Sequence, residues 1–173
     1  VQPVGIAIES GGATAIVVER GNKRVVRVDL TSGAVTPIPA IFTDPWFVAI
    51  EAGGTTALVT DSTTVYRVDL GTGVKTLINS VAYSGYVVGL AGIAIESGGG
   101  TALVADSGNH ILWRLNLSTG TFTSITGGLG EIYGVRIESG GATAVVASRV
   151  PGRVYRVNLA SGLWTSLAVP NQG

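Results

Sequence analysis

One fourteen-residue phrase occurs four times in this chain, and any fold must accommodate all four copies. Gly-Ile-Ala-Ile-Glu-Ser-Gly-Gly-Ala-Thr-Ala-Ile-Val-Val at 5–18 returns, with small changes, at 47–60, 92–105 and 134–147. The anchoring glutamates, Glu9, Glu51, Glu96 and Glu138, are separated by 42, 45 and 42 residues. A period of that length marks an array in which one supersecondary unit is stacked on the next.

Each unit divides in the same way. In the first, apolar-rich runs at 5–9, 14–19, 24–30 and 34–38 are separated by turns at 10–12 and 31–33 and a connection at 20–23. The runs are short and are β-branched or alternate with polar residues, which predicts strands. The third run shows the alternation best: Val26-Arg27-Val28-Asp29-Leu30 recurs as Tyr66-Arg67-Val68-Asp69-Leu70, Trp113-Arg114-Leu115-Asn116-Leu117 and Tyr155-Arg156-Val157-Asn158-Leu159. The expected fold is all-β: a β-propeller of four four-stranded antiparallel blades, a-b-c-d, over roughly 4–38, 46–78, 91–125 and 133–167 of a single domain. Both blade faces pack against neighbours, which explains the nearly continuous apolar character of strands a and b.

An up-down path puts the a–b and c–d turns on one edge of every blade and the b–c and d–a connections on the other. The first edge is monotonous, Glu-Ser-Gly-Gly and Thr-Ser-Gly repeated. The second varies in every blade: the b–c loops at 19–23, 60–64, 105–110 and 148–153, the connections at 39–46, 79–91 and 126–133, and the tail at 168–173. Function on a rigid β scaffold concentrates on variable loops, so the site is expected there.

Composition narrows the classes. Eleven basic and eleven acidic residues cancel, whereas nucleic-acid binding draws its affinity from basic excess; no nucleic-acid partner is expected. No run of about 18 apolar residues, the length of a membrane-crossing helix, is present, and no membrane partner is expected. Cysteine and methionine are absent. Without an initiator methionine the chain is expected to be a processed, excised or engineered segment, and low charge without cysteine favours an exported bacterial protein.

Candidate residues follow from the departures from the repeat. The four glutamates precede tight turns, where a carboxylate accepts turn N–H groups, or they could ring a channel and hold a cation. Arg27, Arg67, Arg114 and Arg156 predict a polar ladder with packed aliphatic stems, with a phosphate-binding set as the alternative. Asp61 and Asp106 follow strand b and suit turn bonds or, converging from separate loops, a metal. His110 is the only histidine, and an N/S zinc site needs more; it is expected in the b–c turn, with a lone general base as the alternative. Arg136 stands where Ala7, Ala49 and Ala94 stand in the other copies and could take an anion or an acid. Arg149 lies in the last b–c loop. Among the aromatics Phe42, Trp46, Tyr83, Tyr86 and Tyr133, Trp46 suits core filling, and Tyr83 and Tyr86 in the longest connection suit binding.

Blade three reads Ala105-Asp106-Ser107-Gly108-Asn109-His110-Ile111 after Gly92-Ile-Ala-Ile-Glu96. This resembles the NHL repeat, with Ile111 in place of leucine. Blade one keeps Asn22 but has Lys23 for histidine, blade two keeps Asp61 in a shortened loop, and blade four loses the Asp-Ser-Gly-Asn set. The resemblance implies a propeller, usually of six blades, serving as an interaction platform, with lactonase and lyase relatives. With four blades this chain is expected to close alone, to associate through its end blades, or to belong to a larger propeller.

The function expected is a non-catalytic scaffold whose variable edge engages a protein or glycan, through Asp61, Tyr83, Tyr86, Asp106, Asn109, His110, Tyr133, Arg136 and Arg149. No cofactor is expected. A metal-dependent hydrolase or lyase, with a divalent cation at the channel mouth, is the alternative; a structural segment of a larger propeller is the third.

Overall fold

A computed structural model describes residues 2–81 and 89–167. The chain divides into two compact units, Val1–Ala82 and Tyr83–Gly173, and each holds two antiparallel sheets of four strands in plain sequential order. In the first unit, β1 (Pro3–Ile8), β2 (Thr14–Glu19), β3 (Arg24–Asp29) and β4 (Val35–Ile41) form blade one, and β5 (Pro45–Ile50), β6 (Thr56–Asp61), β7 (Thr64–Asp69) and β8 (Lys75–Ser80) form blade two. In the second, β9 (Leu90–Ile95), β10 (Thr101–Asp106), β11 (Ile111–Asn116) and β12 (Phe122–Gly127) form blade three, and β13 (Ile132–Ile137), β14 (Thr143–Ser148), β15 (Arg153–Asn158) and β16 (Trp164–Leu167) form blade four. A single 3-10 turn, Arg20–Asn22, is the only helical piece among the described residues.

The core of each unit lies between its two blades. Ile16, Val18 and Val25 of blade one pack with Val48, Val59 and Val68 of blade two. Leu103, Ala105 and Leu112 of blade three pack with Val135, Val146 and Tyr155 of blade four. In blade one this packing buries one face of strands a and b and leaves Ile6 and Ile8 on the other exposed. Glycine lets the blades approach: a Cβ on Gly5 would stand 2.6 Å from the Trp46 carbonyl oxygen, and one on Gly92 2.4 Å from that of Tyr133.

Strand d runs past the apolar pattern that marks its start, to Ile41 in blade one and Gly127 in blade three. The register shifts between Arg24 and Val25, between Val65 and Tyr66 and between Leu112 and Trp113. An extra residue at such a bulge keeps the ladder going after the alternation has broken. Similar shifts separate Pro3 from Gly5, Pro45 from Val48 and Ile132 from Gly134 on strand a. The bulges fall at the variable edge, where they bend the strands and re-aim side chains.

Candidate functional site

The monotonous edge is built from one repeated polar device. In blade one Arg27 donates from Nε to Glu9 Oε2 at 2.7 Å and from Nη2 to Oε1 at 2.9 Å, while Thr14 Oγ1 donates to Oε2 at 2.6 Å. The same fork joins Arg67 to Glu51, Arg114 to Glu96 and Arg156 to Glu138, each with a threonine five residues beyond the glutamate. The carboxylates therefore do not serve as acceptors for the turn N–H groups; the turn closes through backbone, Gly12 N–H to Glu9 carbonyl at 3.0 Å. The c–d turn uses side chains instead: Asp29 Oδ1 accepts the N–H groups of Thr31 and Ser32, and Asp69, Asn116 and Asn158 do the same. An Asx turn of this kind needs a short carbonyl-bearing side chain two residues upstream.

The forks lower the carboxyl pKa values. For Glu9 and Glu96 the guanidinium hydrogen bond is the main cause, opposed by burial and helped by threonine. For Glu51 burial pushes upward, and Arg67 and Thr56 together outweigh it. A folded-state value below the unfolded one, about 4.3, means that the unfolded chain binds more protons as pH falls. The stabilisation is present above that pH and is lost as pH drops through the folded values. With arginines about one-third exposed, the pairs of Glu9, Glu51 and Glu96 each stabilise by only about 1 kcal/mol or less. Thermal unfolding should therefore fall in temperature below about pH 4.5, with Glu96→Gln flattening that decline; an unchanged acid limb would contradict the assignment.

The variable edge is less regular. In the first unit Arg20 makes a bidentate pair with Asp44, 2.6 and 3.0 Å, and lies 3.8 Å above the Trp46 ring, whose Nε1 donates to Asp44 Oδ2 at 3.1 Å. Asp44 sits below its usual value, because hydrogen bonds from Arg20 and Trp46 exceed the upward push of burial. Trp46 is half-buried beneath the guanidinium. Phe42 is buried in the core, with Lys75 Nζ 4.9 Å from its ring. In the second unit Arg149 donates from Nε to Glu131 Oε2 at 2.9 Å and lies 5.3 Å over half-buried Tyr133. By the repeat, Arg149, Glu131 and Tyr133 are the counterparts of Arg20, Asp44 and Trp46. Arg20 reaches across to the next blade; Arg149 folds back onto its own.

The buried aspartates are fully engaged. Asp61 accepts the N–H groups of Thr43, at 3.0 Å, and Asp44, tying the end of β6 to the connection before it. Asp106 accepts from Asn109 N–H at 2.8 Å, Asn109 Nδ2 at 3.0 Å and Trp113 Nε1 at 2.8 Å. His110 ends this turn exposed, with φ 61°, a left-handed conformation shared with Lys23 at the equivalent place in blade one. Arg136 is exposed on β13, opposite Val145 of β14. Tyr83 and Tyr86 lie outside the described residues. The structure thus gathers Asp106, Asn109 and His110 in one turn, and places Tyr133 with Arg149 at another point of the same edge. Sequence reasoning missed Arg20, Asp44 and Glu131, whose partners are 24 or 18 residues away and whose pairing only strand register reveals.

The fold and this edge define the class: the chain is built of β-propeller blades. It resembles a chain of the nidogen/laminin complex with a TM-score of 0.82 at 16% identity, over 96% of this chain and 65% of that one. It also resembles catalytically inactive virginiamycin B lyase from Staphylococcus aureus with quinupristin, TM-score 0.75 at 14% identity, over 98% and 56%. A third likeness is to a protein of unknown function from Bacteroides thetaiotaomicron, TM-score 0.76 at 18% identity, over 96% and 43%. The chain thus spans between 43% and 65% of the length of these three. No protein-family model and no curated protein matches the sequence.

Proposed function

We propose that this chain is a non-catalytic, NHL-like binding scaffold whose b–c and d–a edge engages a protein or glycan. The observation that carries the reading is the division of labour among its polar groups. Carboxylates that could have served as ligands or bases, Asp61 and Asp106, are spent on buried hydrogen bonds within loops. The Arg149–Glu131–Tyr133 group and His110 instead stand at the edge, with Arg149 and His110 exposed. An aromatic ring beside an arginine supplies area, a polar handle and a fixed charge, the composition of binding hot spots. A lactonase-like metal site would require Asp61 or Asp106 to abandon backbone or indole donors, which disfavours it.

The test is capture on peptide and glycan arrays, with wild type compared with Tyr133→Ala and Arg149→Ala. Hits from wild type should lose at least about tenfold in affinity in both variants. Ser97→Ala and Ser139→Ala on the monotonous edge should bind as wild type does. Binding that survives the first pair and fails in the second would refute the assignment of the edge.

A further inference from the structure

Blade one leaves bare a surface that blades two and four bury. Ile6 on β1 is 57% exposed, Ile8 65% and Leu30, just past β3, 48%. The repeat aligns Ile6 with Val48 and Val135, exposed by 6% and 7%, and Leu30 with Leu70 and Leu159, exposed by 3% and 4%. The turn glycines agree. A Cβ on Gly73 would stand 2.6 Å from the Pro39 carbonyl oxygen and one on Gly162 2.3 Å from that of Ile125, so those turns press on strand d of the preceding blade. A Cβ on Gly33 would meet nothing within 4 Å.

What covers the counterparts is visible inside each unit. Blade one turns Gly5, Ala7, Ile16 and Val18 toward Val48. Blade three turns Gly92, Leu103 and Ala105 toward Val135, and Arg114 Nη2 donates to the Leu159 carbonyl at 3.2 Å. The occupant of one blade's near face is another blade's far face. Blade four carries such a far face open: Gly134, Val145, Ala147 and Arg156 occupy the matching registers on β13, β14 and β15. Ala147 and Arg156 are exposed, and a Cβ on Gly134 would meet only Ala147 within 4 Å.

We infer that the far face of blade four docks on the bare near face of blade one in a second copy of this chain. Gly134 allows the close approach, Ile6 enters between Val145 and Ala147, and Arg156 donates to the Leu30 carbonyl as Arg114 does to Leu159. The two surfaces differ, so the contact is heterologous and copies add head to tail until a ring closes. Arg136 is the one misfit, since alanine stands there in blades one to three. Its charge must stay hydrated, which makes this seam weaker than the one inside each unit.

Sedimentation across a concentration range tests the inference, with circular dichroism confirming that each variant folds; all three substituted positions below are exposed. Wild type should associate with rising concentration. Ile6→Glu and Ala147→Glu should each weaken association by more than about tenfold, roughly 1.4 kcal/mol. Mixed in equal amounts they should form a 1:1 pair, because the intact blade four of the first meets the intact blade one of the second. Arg136→Ala should associate more tightly than wild type. A wild type that stays monomeric, its bare face awaiting further blades of a longer chain, overturns the inference. So does an Ala147→Glu chain that associates normally, the mark of a face-to-face contact through blade one.

Discussion

Gly92→Ala should destabilise the second unit by about 3 kcal/mol, at the upper end of what overpacking does. The added methyl would lie 2.4 Å from the Tyr133 carbonyl oxygen, 2.9 Å from Val135 N and 3.2 Å from Gly134 Cα. All three are backbone atoms of β13, so no side chain can rotate away. Relief requires β9 and β13 to part, and that opens the packing of Leu103 and Leu112 on Val135 and Val146. Gly100→Ala is the matched control. Its Cβ would meet nothing within 4 Å, and alanine already stands at the equivalent positions 13 and 142. Urea unfolding should show the first variant's midpoint displaced and the second's unchanged or raised. Equal midpoints would mean that adjacent blades are not packed strand against strand.

Asp106→Ala should be comparably damaging, by about 3 kcal/mol, because it strands donors that the protein has removed from water. Asp106 is fully buried and receives the Asn109 backbone and side-chain N–H groups and the Trp113 indole. Together these bonds close the b–c turn of blade three and fix the Trp113 ring, which meets Phe122 edge-on at 5.9 Å. Asp106→Asn keeps one acceptor oxygen and should lose less. The direction is informative, since residues held for catalysis or metal binding often stabilise a fold when removed. A stabilised Asp106→Ala protein would therefore argue for a functional site in this turn.

The fourfold phrase made the blades legible because each strand's environment recurs, and repetition averages away local ambiguity. Strand boundaries at the d–a side were less so, since the bulges that prolong β4 and β12 leave no mark on the apolar alternation. The Glu–Arg fork was readable in principle. Glutamate and arginine are 18 residues apart in blades one, three and four and 16 in blade two, whose b–c loop is shorter. Considered one at a time, the two residue types suggest turn acceptors and a ladder; considered as a pair across β1 and β3, they suggest an ion pair. Asp61 and Asp106 follow the same position of strand b but serve different partners, because the loop lengths around them differ. Arg20, Asp44 and Trp46 recur as Arg149, Glu131 and Tyr133, but the acids lie in the connections before strand a, so only the folded register brings them to their arginines.

On the proposed reading the variable edge, and not the repeated one, meets the ligand. Amide chemical-shift mapping by NMR, with a peptide or glycan captured in the screen, tests it most directly. Shifts should concentrate at Arg20, Asp44 and Trp46 or at 107–110, Glu131, Tyr133 and Arg149, with the Glu-Ser-Gly-Gly turns silent. Shifts centred on residues 10–12, 52–54, 97–99 and 139–141 would contradict it.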